Sequence, residues 1–364
     1  MRGVLRIAHR WSGLALAPLL LFQAGTGLLW SNQEALTPIF HPEARVVAGT
    51  AHAPLDDLLS AIALRYPDGK LDRIAIPADD RLALIARVIT ATDAVDIVLI
   101  DPSSARILSS GPVWTYPEQL AEHLHGSLLL GRAGHWILLC EGVVLVFMSA
   151  AGLCLWWPGR ERLSGAFALH ISGPRRRLLR DLHVVPGALA AGFFIVTGLS
   201  GALMAVEPLT AALVSRLAPV AAEVEPVFPV APAGPNAVTA QDALATLQAR
   251  FPASHLAKVR VTGAGERMLV AVFDDVRSPN PGSYDMAGLD RRTGVTTVFV
   301  DAARRPAGDA AIAWLAPIHA GEVYGPLRSA VAIMIGGALI LVAQMGVSNW
   351  LARPRRPARR KPLQ

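Results

Sequence analysis

The sequence predicts an all-α membrane four-helix bundle with two α+β domains on its outer side, built as a tandem duplication. Apolar residues make up 52% of the 364 residues and form four separate runs. The runs lie near residues 11–30, 136–157, 184–206 and 329–351. Each run has about 20 residues or more, enough to cross a hydrocarbon core of roughly 30 Å as a helix. The two long segments between the runs resemble one another, which indicates the duplication.

The distribution of charge predicts the orientation of the spans. The two ends of the chain and the short segment between the second and third runs carry 15 basic residues and only two acidic ones, Glu161 and Asp181. The two long segments carry 19 basic and 25 acidic residues. Because basic residues concentrate on the cytoplasmic side, both termini and the short segment are expected there. The excess positive charge follows from this topology, and it gives no reason to expect nucleic-acid binding.

Each long segment is predicted to form one helix followed by a small antiparallel sheet. The helical pattern ends at Tyr66-Pro67 in the first segment and at Phe251-Pro252 in the second. The strand-like stretches that follow are 72–76, 82–90 and 94–100 in the first segment, and 256–262, 267–273 and 284–289 in the second. These strands end at Asp101-Pro102 and at Asp290. Proline-rich stretches at 219–235 and 279–281 are interpreted as a linker and a loop.

These observations divide the chain into eight parts. They are a first span (1–30), a first outer domain (31–122), an interfacial segment with the second span (123–158), a cytoplasmic loop (159–183), a third span (184–207), a second outer domain (208–316), an interfacial segment with the fourth span (317–351) and a basic cytoplasmic tail (352–364).

Four histidines stand at the ends of the apolar runs, and their spacing is repeated. His9 precedes Gly27 by 18 residues and His183 precedes Gly201 by 18, while His125 precedes Gly131 by 6 and His319 precedes Gly325 by 6. Haem iron takes axial ligands from opposite faces of a planar ring, and two neutral imidazoles on facing helices can supply them. We therefore predict one haem between His9 and His183 and a second between His125 and His319.

Other residues of these segments are expected to support haem. Gly13 and Gly187 each follow their histidine by four residues, on the same helical face, where the missing side chain lets a porphyrin approach the backbone. The arginines expected to pair with propionates or to flank the outer site are Arg6, Arg10, Arg180, Arg132 and Arg328. On the outer side, His123 and His135 remain alternatives to His125, and one haem remains an alternative to two.

Glu141 is the one acidic residue inside a predicted span. A carboxylate within the membrane is a functional candidate, here a proton relay or the partner of an arginine. The alternative is a partly hydrated carboxylate near the end of the span, since Glu141 follows Trp136 by only about a turn and a half.

Several motifs together resemble the PepSY-associated transmembrane helix family. They are His9-Arg10-Trp11, Leu124-His125-Gly126, Leu155-Trp156-Trp157-Pro158, Leu178-Leu179-Arg180-Asp181-Leu182-His183, and the segment from Tyr66-Pro67 to Asp101-Pro102. The better understood members are bacterial inner-membrane reductases of ferric siderophores. The resemblance covers nearly the whole chain and implies two PepSY-like periplasmic domains, b-type haem in the bundle and electron delivery outward to a ferric chelate. The sequence departs from the family pattern at His135, where arginine is expected, and at Pro186.

The resemblance implies an oxidoreductase, a ferric-siderophore reductase of iron homeostasis in the bacterial inner membrane. Its expected partners are the bilayer, a ferric siderophore, periplasmic iron-uptake proteins and an electron donor. The predicted cytoplasmic segments have no Gly-x-Gly-x-x-Gly and no room for a flavin or nicotinamide domain, so the donor would be another protein or a quinol. The alternative functions are a haem-free scaffold or regulator, whose outer domains bind peptides or restrain a protease, and a transporter. The siderophore, the donor and the oligomeric state remain open.

Overall fold

The computed structural model describes residues 2–49, 52–163, 165–221, 237–262, 267–275 and 278–353. Most of the predicted linker, from residue 222 onward, and the basic tail from residue 354 onward lie outside the described residues. The chain divides into two compact units. The bundle unit comprises Met1–Leu28, Ser127–Val206 and Pro326–Gln364, and the sheet unit comprises Leu29–Gly126 and Glu207–Gly325.

The described residues form eleven α-helices and eight strands. The helices are α1 (Arg2–Ser31), α2 (Gln33–Phe40), α3 (Leu55–Arg65), α4 (Pro117–Ser127), α5 (Arg132–Trp156), α6 (Arg175–Ala205), α7 (Glu207–Val214), α8 (Ala240–Arg250), α9 (Ala307–Ala313), α10 (Leu315–Ala320) and α11 (Arg328–Leu351). The strands are β1 (Lys70–Ala75), β2 (Leu84–Ile89), β3 (Val95–Ile100), β4 (Ile107–Pro112), β5 (Ser254–Thr262), β6 (Met268–Asp275), β7 (Tyr284–Asp290) and β8 (Thr296–Val300).

Four helical stretches, those containing α1, α5, α6 and α11, are long and apolar enough to cross a membrane. They coincide with the four apolar runs, but α1 and α6 begin well before their runs do. The residues added at these ends are largely arginines and leucines, which are good helix formers. As a result, His9 and His183 lie within continuous helices and not at helix ends.

Glycines allow the spans to pack closely. A Cβ atom built on Gly142 of α5 would lie 2.5 Å from the carbonyl oxygen of Gly198 on α6. A Cβ atom on Gly336 of α11 would lie 2.7 Å from the Leu28 side chain of α1. Helices in a membrane associate largely through van der Waals packing, which is strongest where small residues let backbones approach. These two contacts therefore need glycine.

The sheet unit contains one antiparallel sheet with the strand order β4-β3-β2-β1-β5-β6-β7-β8. The two long segments were expected to form separate sheets. Instead, β1 pairs with β5, with Ile74 opposite Val259, and the two four-stranded halves become one sheet. Pairing removes two edges whose backbone groups would otherwise be open to other chains.

Strands β4 and β8 were not predicted. Each of these strands follows an aspartate, Asp101 or Asp290, that was interpreted as the end of the sheet. Asp101 N–H donates to the Arg106 carbonyl at 2.9 Å, and Asp290 N–H donates to the Val295 carbonyl at 2.9 Å. Each aspartate therefore opens a hairpin turn that leads into one further, edge strand.

Helices α3 and α8 pack on one face of the sheet and bury a single apolar core. Leu58, Leu59 and Ile62 of α3 belong to the same cluster as Leu244 and Leu247 of α8. Alternate residues of the inner strands complete that cluster, namely Ala86, Val88, Val98, Ile100, Val259, Val261, Leu269, Ala271, Phe273, Ala287 and Leu289. A strand exposes every second side chain to one face, so the period-2 pattern of the sequence produces this core. The two halves of the sheet thus share their interior.

The N-termini of α3 and α8 cap one another. The Asp56 carboxylate of α3 accepts hydrogen bonds from the backbone N–H groups of Ala240 and Gln241, both at 2.9 Å. In return, the Gln241 side-chain oxygen accepts a hydrogen bond from the Leu55 N–H at 2.9 Å. The Arg291 guanidinium also lies 3.3 Å from Asp56. N-terminal amides of a helix lack intrahelical partners, so each segment satisfies the other's.

We expect Asp56→Ala to destabilise the protein by about 1–2 kcal/mol, because two α8 amides lose their acceptor. This corresponds to a fall in the melting temperature of the purified protein of roughly 2–4 °C per kcal/mol. Asp57→Ala is the matched control, since Asp57 is the exposed neighbour on the same helix. Equal melting temperatures for the two variants would contradict this role of Asp56.

Candidate functional site

His9 of α1 and His183 of α6 face one another inside the bundle unit. Their ring centroids are 6.2 Å apart and their planes meet at 69°. We call these two residues the span pair. Two imidazoles that bind one metal ion from opposite sides, each through a bond of about 2 Å, have centroids roughly 6 Å apart. The separation therefore suits two axial ligands of one ion.

The following span holds each ring of the span pair. His183 Nδ1 lies 2.8 Å from the Val342 carbonyl oxygen of α11, and the His9 ring lies beside the Met148 backbone of α5. A ring N–H bonded to a backbone carbonyl fixes the tautomer and orientation of a ligating histidine. The Nδ1 atom of His9 is buried without a hydrogen-bond partner.

Glycines let the two rings lie directly against the spans. A Cβ atom on Gly346 would lie 3.1 Å from both Nδ1 and Cε1 of His183, and one on Gly152 would lie 3.4 Å from Cε1 of His9. Gly13 is similarly restricted, because its Cβ atom would lie 2.9 Å from the Met148 side chain. A side chain at Gly346 or Gly13 would push its neighbour aside.

The contacts of the two histidines are equivalent by position. His183 follows His9 by 174 residues, and Gly187 follows Gly13 by the same number. On the following spans, residues 194 apart correspond: Met148 with Val342, Gly152 with Gly346, and Trp156 with Trp350. His319 and Gly325 follow His125 and Gly131 by the same 194 residues.

The span pair lines a cavity of about 1110 Å³ among α1, α5, α6 and α11. This volume slightly exceeds the range of roughly 300–1,000 Å³ that is usual for small-molecule sites. Apolar residues including Leu20, Leu145, Phe194 and Leu339 form one part of its wall. Six arginines also line it, namely Arg6, Arg10, Arg176, Arg177, Arg180 and Arg353, and among the described lining residues none is acidic. The cavity suits a large apolar ligand that carries anionic groups.

His125 and His319 form a second pair, in the sheet unit. His125 lies on α4 and His319 on α10, and their ring centroids are 5.9 Å apart at an angle of 53°. The Trp30 ring lies 5.8 Å from the His125 ring. We call these two histidines the second pair. Their separation equals that of the span pair to within a few tenths of an ångström.

The alternative outer histidines lie elsewhere. Burial lowers the pKa of the His123 imidazole, and the Arg87 guanidinium lowers it further, which places His123 beside the charged residues of the sheet. His135 is exposed in the first turn of α5. The structure thus pairs His125 with His319, and the sequence could not make this choice because the helix containing the histidine had no fixed register.

Two glycines precede the spans and require positive φ angles. Gly131 has φ 52° and ψ −131°, and Gly325 has φ 54° and ψ −125°. A side chain disfavours this conformation, so glycine is the residue that adopts it readily. Gly131 follows His125 by six residues, and Gly325 follows His319 by six. This repeated spacing therefore reflects two matching glycine turns that precede α5 and α11.

The other predicted site residues fall into two groups. Arg6, Arg10, Arg180, Gly13 and Gly187 line the cavity of the span pair. Arg180 also donates to the Asp181 carboxylate at 2.8 Å.

Arg132 and Arg328 are exposed at the first residues of α5 and α11. Glu141 is 5% exposed, and its Oε2 atom is buried without a hydrogen-bond partner. It does not belong to the described cavity lining.

Sequence reasoning missed Gly152, Gly346, Met148 and Val342. The two glycines were missed because a glycine within an apolar run is usually interpreted as a helix-packing residue. Met148 and Val342 were missed because they act through the backbone, which the side chain does not reveal. The spacing of 194 residues between His125 and His319 would have identified the glycines, because the same spacing joins Gly152 to Gly346.

The bundle and its two histidine pairs define a four-span membrane protein with a histidine-lined cavity. The chain belongs to the PepSY-associated TM region family, whose model matches residues 6–353. This confirms the family that the sequence motifs predicted. No curated protein matches the chain.

We expect Gly131→Ala and Gly325→Ala each to destabilise the protein by roughly 1–3 kcal/mol, because alanine is strained at these φ and ψ angles. Gly126→Ala serves as the control, since Gly126 lies in α4 and a Cβ atom there would meet nothing within 4 Å. Thermal unfolding of the three purified variants measures the difference. A control variant as unstable as the other two would show that the backbone angles are not the cause.

Proposed function

We propose that this protein is a haem-containing inner-membrane reductase that passes electrons across the membrane to a periplasmic ferric siderophore. The observation that carries the proposal is the span pair, two imidazoles 6.2 Å apart in a cavity rimmed by arginines. The residues fit haem b, because the cavity offers apolar walls for a macrocycle, cations that would pair with two propionates and two imidazoles that would hold the iron. When bound, haem supplies an iron that changes between the ferric and ferrous states and so carries one electron.

The residues of the chain position such a group. The carbonyl oxygen of Val342 holds the His183 ring through Nδ1, which directs Nε2 away from α11. Arg6 and Arg180, which correspond in the two halves, are the first candidates for pairing with propionates, since arginine binds carboxylates in a bidentate manner. The surrounding leucines and Phe194 exclude water from the apolar part of the cavity.

The second pair would hold a second haem. Its ring separation of 5.9 Å meets the same geometric requirement as that of the span pair. In the orientation predicted by the basic residues, His9 and His183 lie on the cytoplasmic side, and His125 and His319 lie on the periplasmic side. Electrons would therefore enter at the span pair and leave from the second pair.

Reduction would release iron from its chelate. Hydroxamate and catecholate oxygens are hard ligands and bind ferric iron more strongly than the softer ferrous ion. We propose that the outer side of the protein docks the ferric siderophore, with periplasmic iron-uptake proteins receiving the ferrous iron. The electron donor would be a quinol or a cytoplasmic protein. Glu141 is a candidate for proton relay, because its buried carboxyl group has an oxygen without a hydrogen-bond partner.

We also propose that each half of the chain contains one PepSY-like domain and that the halves arose by duplication. Both halves of the sheet consist of one helix followed by four antiparallel strands, α3 with β1–β4 and α8 with β5–β8. The equivalent contacts of His9 and His183 support the same origin. Parallel repeats with an even number of spans imply a pseudo-two-fold axis along the membrane normal.

Haem content tests the proposal directly. We expect purified protein from haem-replete cells to be red and to give a b-type pyridine haemochrome. His9→Ala and His183→Ala should each remove the same haem, so the double variant should lose no more than either single variant. A colourless protein would overturn the proposal and favour the haem-free scaffold. Losses that add in the double variant would show that the two histidines do not share a haem.

A glycine substitution tests whether the contact of the His183 ring with α11 helps to retain haem. We expect Gly346→Ala to speed haem loss by roughly tenfold, because the new methyl group displaces the His183 ring from its bond with Val342. Gly152→Ala is the matched control, since its Cβ atom would make an ordinary contact of 3.4 Å with His9. Transfer of haem to an excess of an apoprotein acceptor measures both rates. Equal rates would mean that the ring does not depend on Gly346.

A further inference from the structure

Glu118, at the start of α4, has a buried carboxyl group that takes no part in the proposed electron transfer. Its side chain is 0% exposed. Oε1 accepts a hydrogen bond from the Thr37 hydroxyl of α2 at 3.3 Å, whereas Oε2 is buried without a hydrogen-bond partner. A buried carboxylate with an unsatisfied oxygen is costly, and protonation removes that cost. The buried carboxyl group of Glu118 is therefore a candidate for proton uptake.

A second titratable group, His41, acts electrostatically on Glu118. The His41 ring stacks on Tyr116 with centroids 4.3 Å apart, and its Nε2 atom is buried without a hydrogen-bond partner. On its other side, His41 Nδ1 lies 3.6 Å from an Oε1 atom of Glu43, whose side chain is 41% exposed. An imidazole can accept a proton on one nitrogen and release one from the other. His41 thus lies beside the exposed carboxylate of Glu43 and acts electrostatically on the buried one of Glu118.

The charged and titratable groups around Glu118 come from three segments. They are His41 and Glu43 after α2, Tyr116 before α4, and Asp96 of β3, which acts on Tyr116. Burial raises the pKa of Glu118, while its own backbone N–H, a positive charge on His41 and the Thr37 hydroxyl act in the opposite direction. Burial also raises the pKa of Tyr116, which keeps the phenol neutral.

Glu118 shares a helical face with His125, the member of the second pair that lies on α4. Residues 118, 122 and 125 of α4 are spaced i, i+4 and i+7. His125 is thus about 10 Å from Glu118 along the helix axis. Glu122, between them, is held by Arg73 at 2.7 Å. One added negative charge at 10 Å, at an effective dielectric constant of about 20, raises the pKa of a carboxyl group by about 1.

We infer that Glu118 takes up one proton when an electron arrives at the second pair, and that Glu43 and His41 deliver that proton from solvent. The inference rests on the proposed function, since it needs a redox group between His125 and His319. The electron comes from the donor of the proposed reaction and the proton from water. The carboxylate becomes a carboxylic acid, and no other bond changes. Proton uptake offsets the added charge and so favours reduction of this site at lower pH.

The test is a redox titration of the full-length holoprotein between about pH 5 and pH 9. Glu118 should have one pKa while the second-pair haem is oxidised and a higher pKa once that haem is reduced. Between these two pKa values the midpoint potential of the haem should fall as pH rises. A tenfold change in the reduction equilibrium corresponds to about 59 mV. In Glu118→Gln this pH dependence should disappear. Glu122→Gln is the control, since Glu122 lies nearer to His125 but is paired with Arg73, and it should keep the pH dependence.

Two further measurements make the outcome decisive. Infrared difference spectra of reduction should show the carbonyl band of a newly protonated carboxyl group, absent in Glu118→Gln. His41→Phe retains a ring against Tyr116 but cannot carry a proton, so proton uptake should slow at least tenfold while the equilibrium shift remains. Unchanged pH dependence in Glu118→Gln would overturn the inference while leaving the proposed function intact. A protein without haem at the second pair would overturn the inference, and a protein without any haem would overturn the proposed function as well.

Discussion

The contact between each imidazole of the span pair and the backbone of the next span determines the geometry of the bundle. The His183 ring lies against Gly346 of α11 and lies 2.8 Å from the Val342 carbonyl oxygen, and a side chain at position 346 would crowd the ring. The contact joins α6 to α11, and its counterpart at Gly152 joins α1 to α5. The position of the rings, the separation of the spans and the width of the cavity therefore depend on one another.

The two histidine pairs reach similar separations by different means. The span pair lies on long helices, and its His183 ring is fixed by a hydrogen bond to the backbone of α11. The second pair lies on two short helices, α4 and α10, each followed by a glycine turn with a positive φ angle. Short helices gain little stability on their own, so the position of His125 depends on anchors such as Glu118 and Glu122. Changes of charge around α4 can thus act on the second pair.

The sequence predicted the elements that have strong local patterns. The four spans follow from apolar length, and α3, α8 and six strands follow from their periodicity. Strands β4 and β8 were missed because edge strands carry little apolar alternation and followed aspartates that are common in turns. The joining of the two sheets was missed for another reason. The pairing of β1 with β5 depends on two edges meeting in space, and neither edge identifies its partner locally. At the site, repeated spacings predicted which histidines form pairs. Only the fold showed that His125, and not His123, lies beside His319.

The pairing of β1 with β5 also has a consequence for the order of folding. Ile74 and Val259 are neighbours in the sheet but lie 185 residues apart in the chain, with α5 and α6 between them. Contacts of such long range form late, because the intervening chain must first be ordered. The first four strands must therefore wait, with the β1 edge open, until two more spans have been inserted and the second half of the sheet has been synthesised. During that interval the β1 edge is open to mispairing, and its pairing with β5 shows that both middle spans, α5 and α6, and the first strand of the second half have been made.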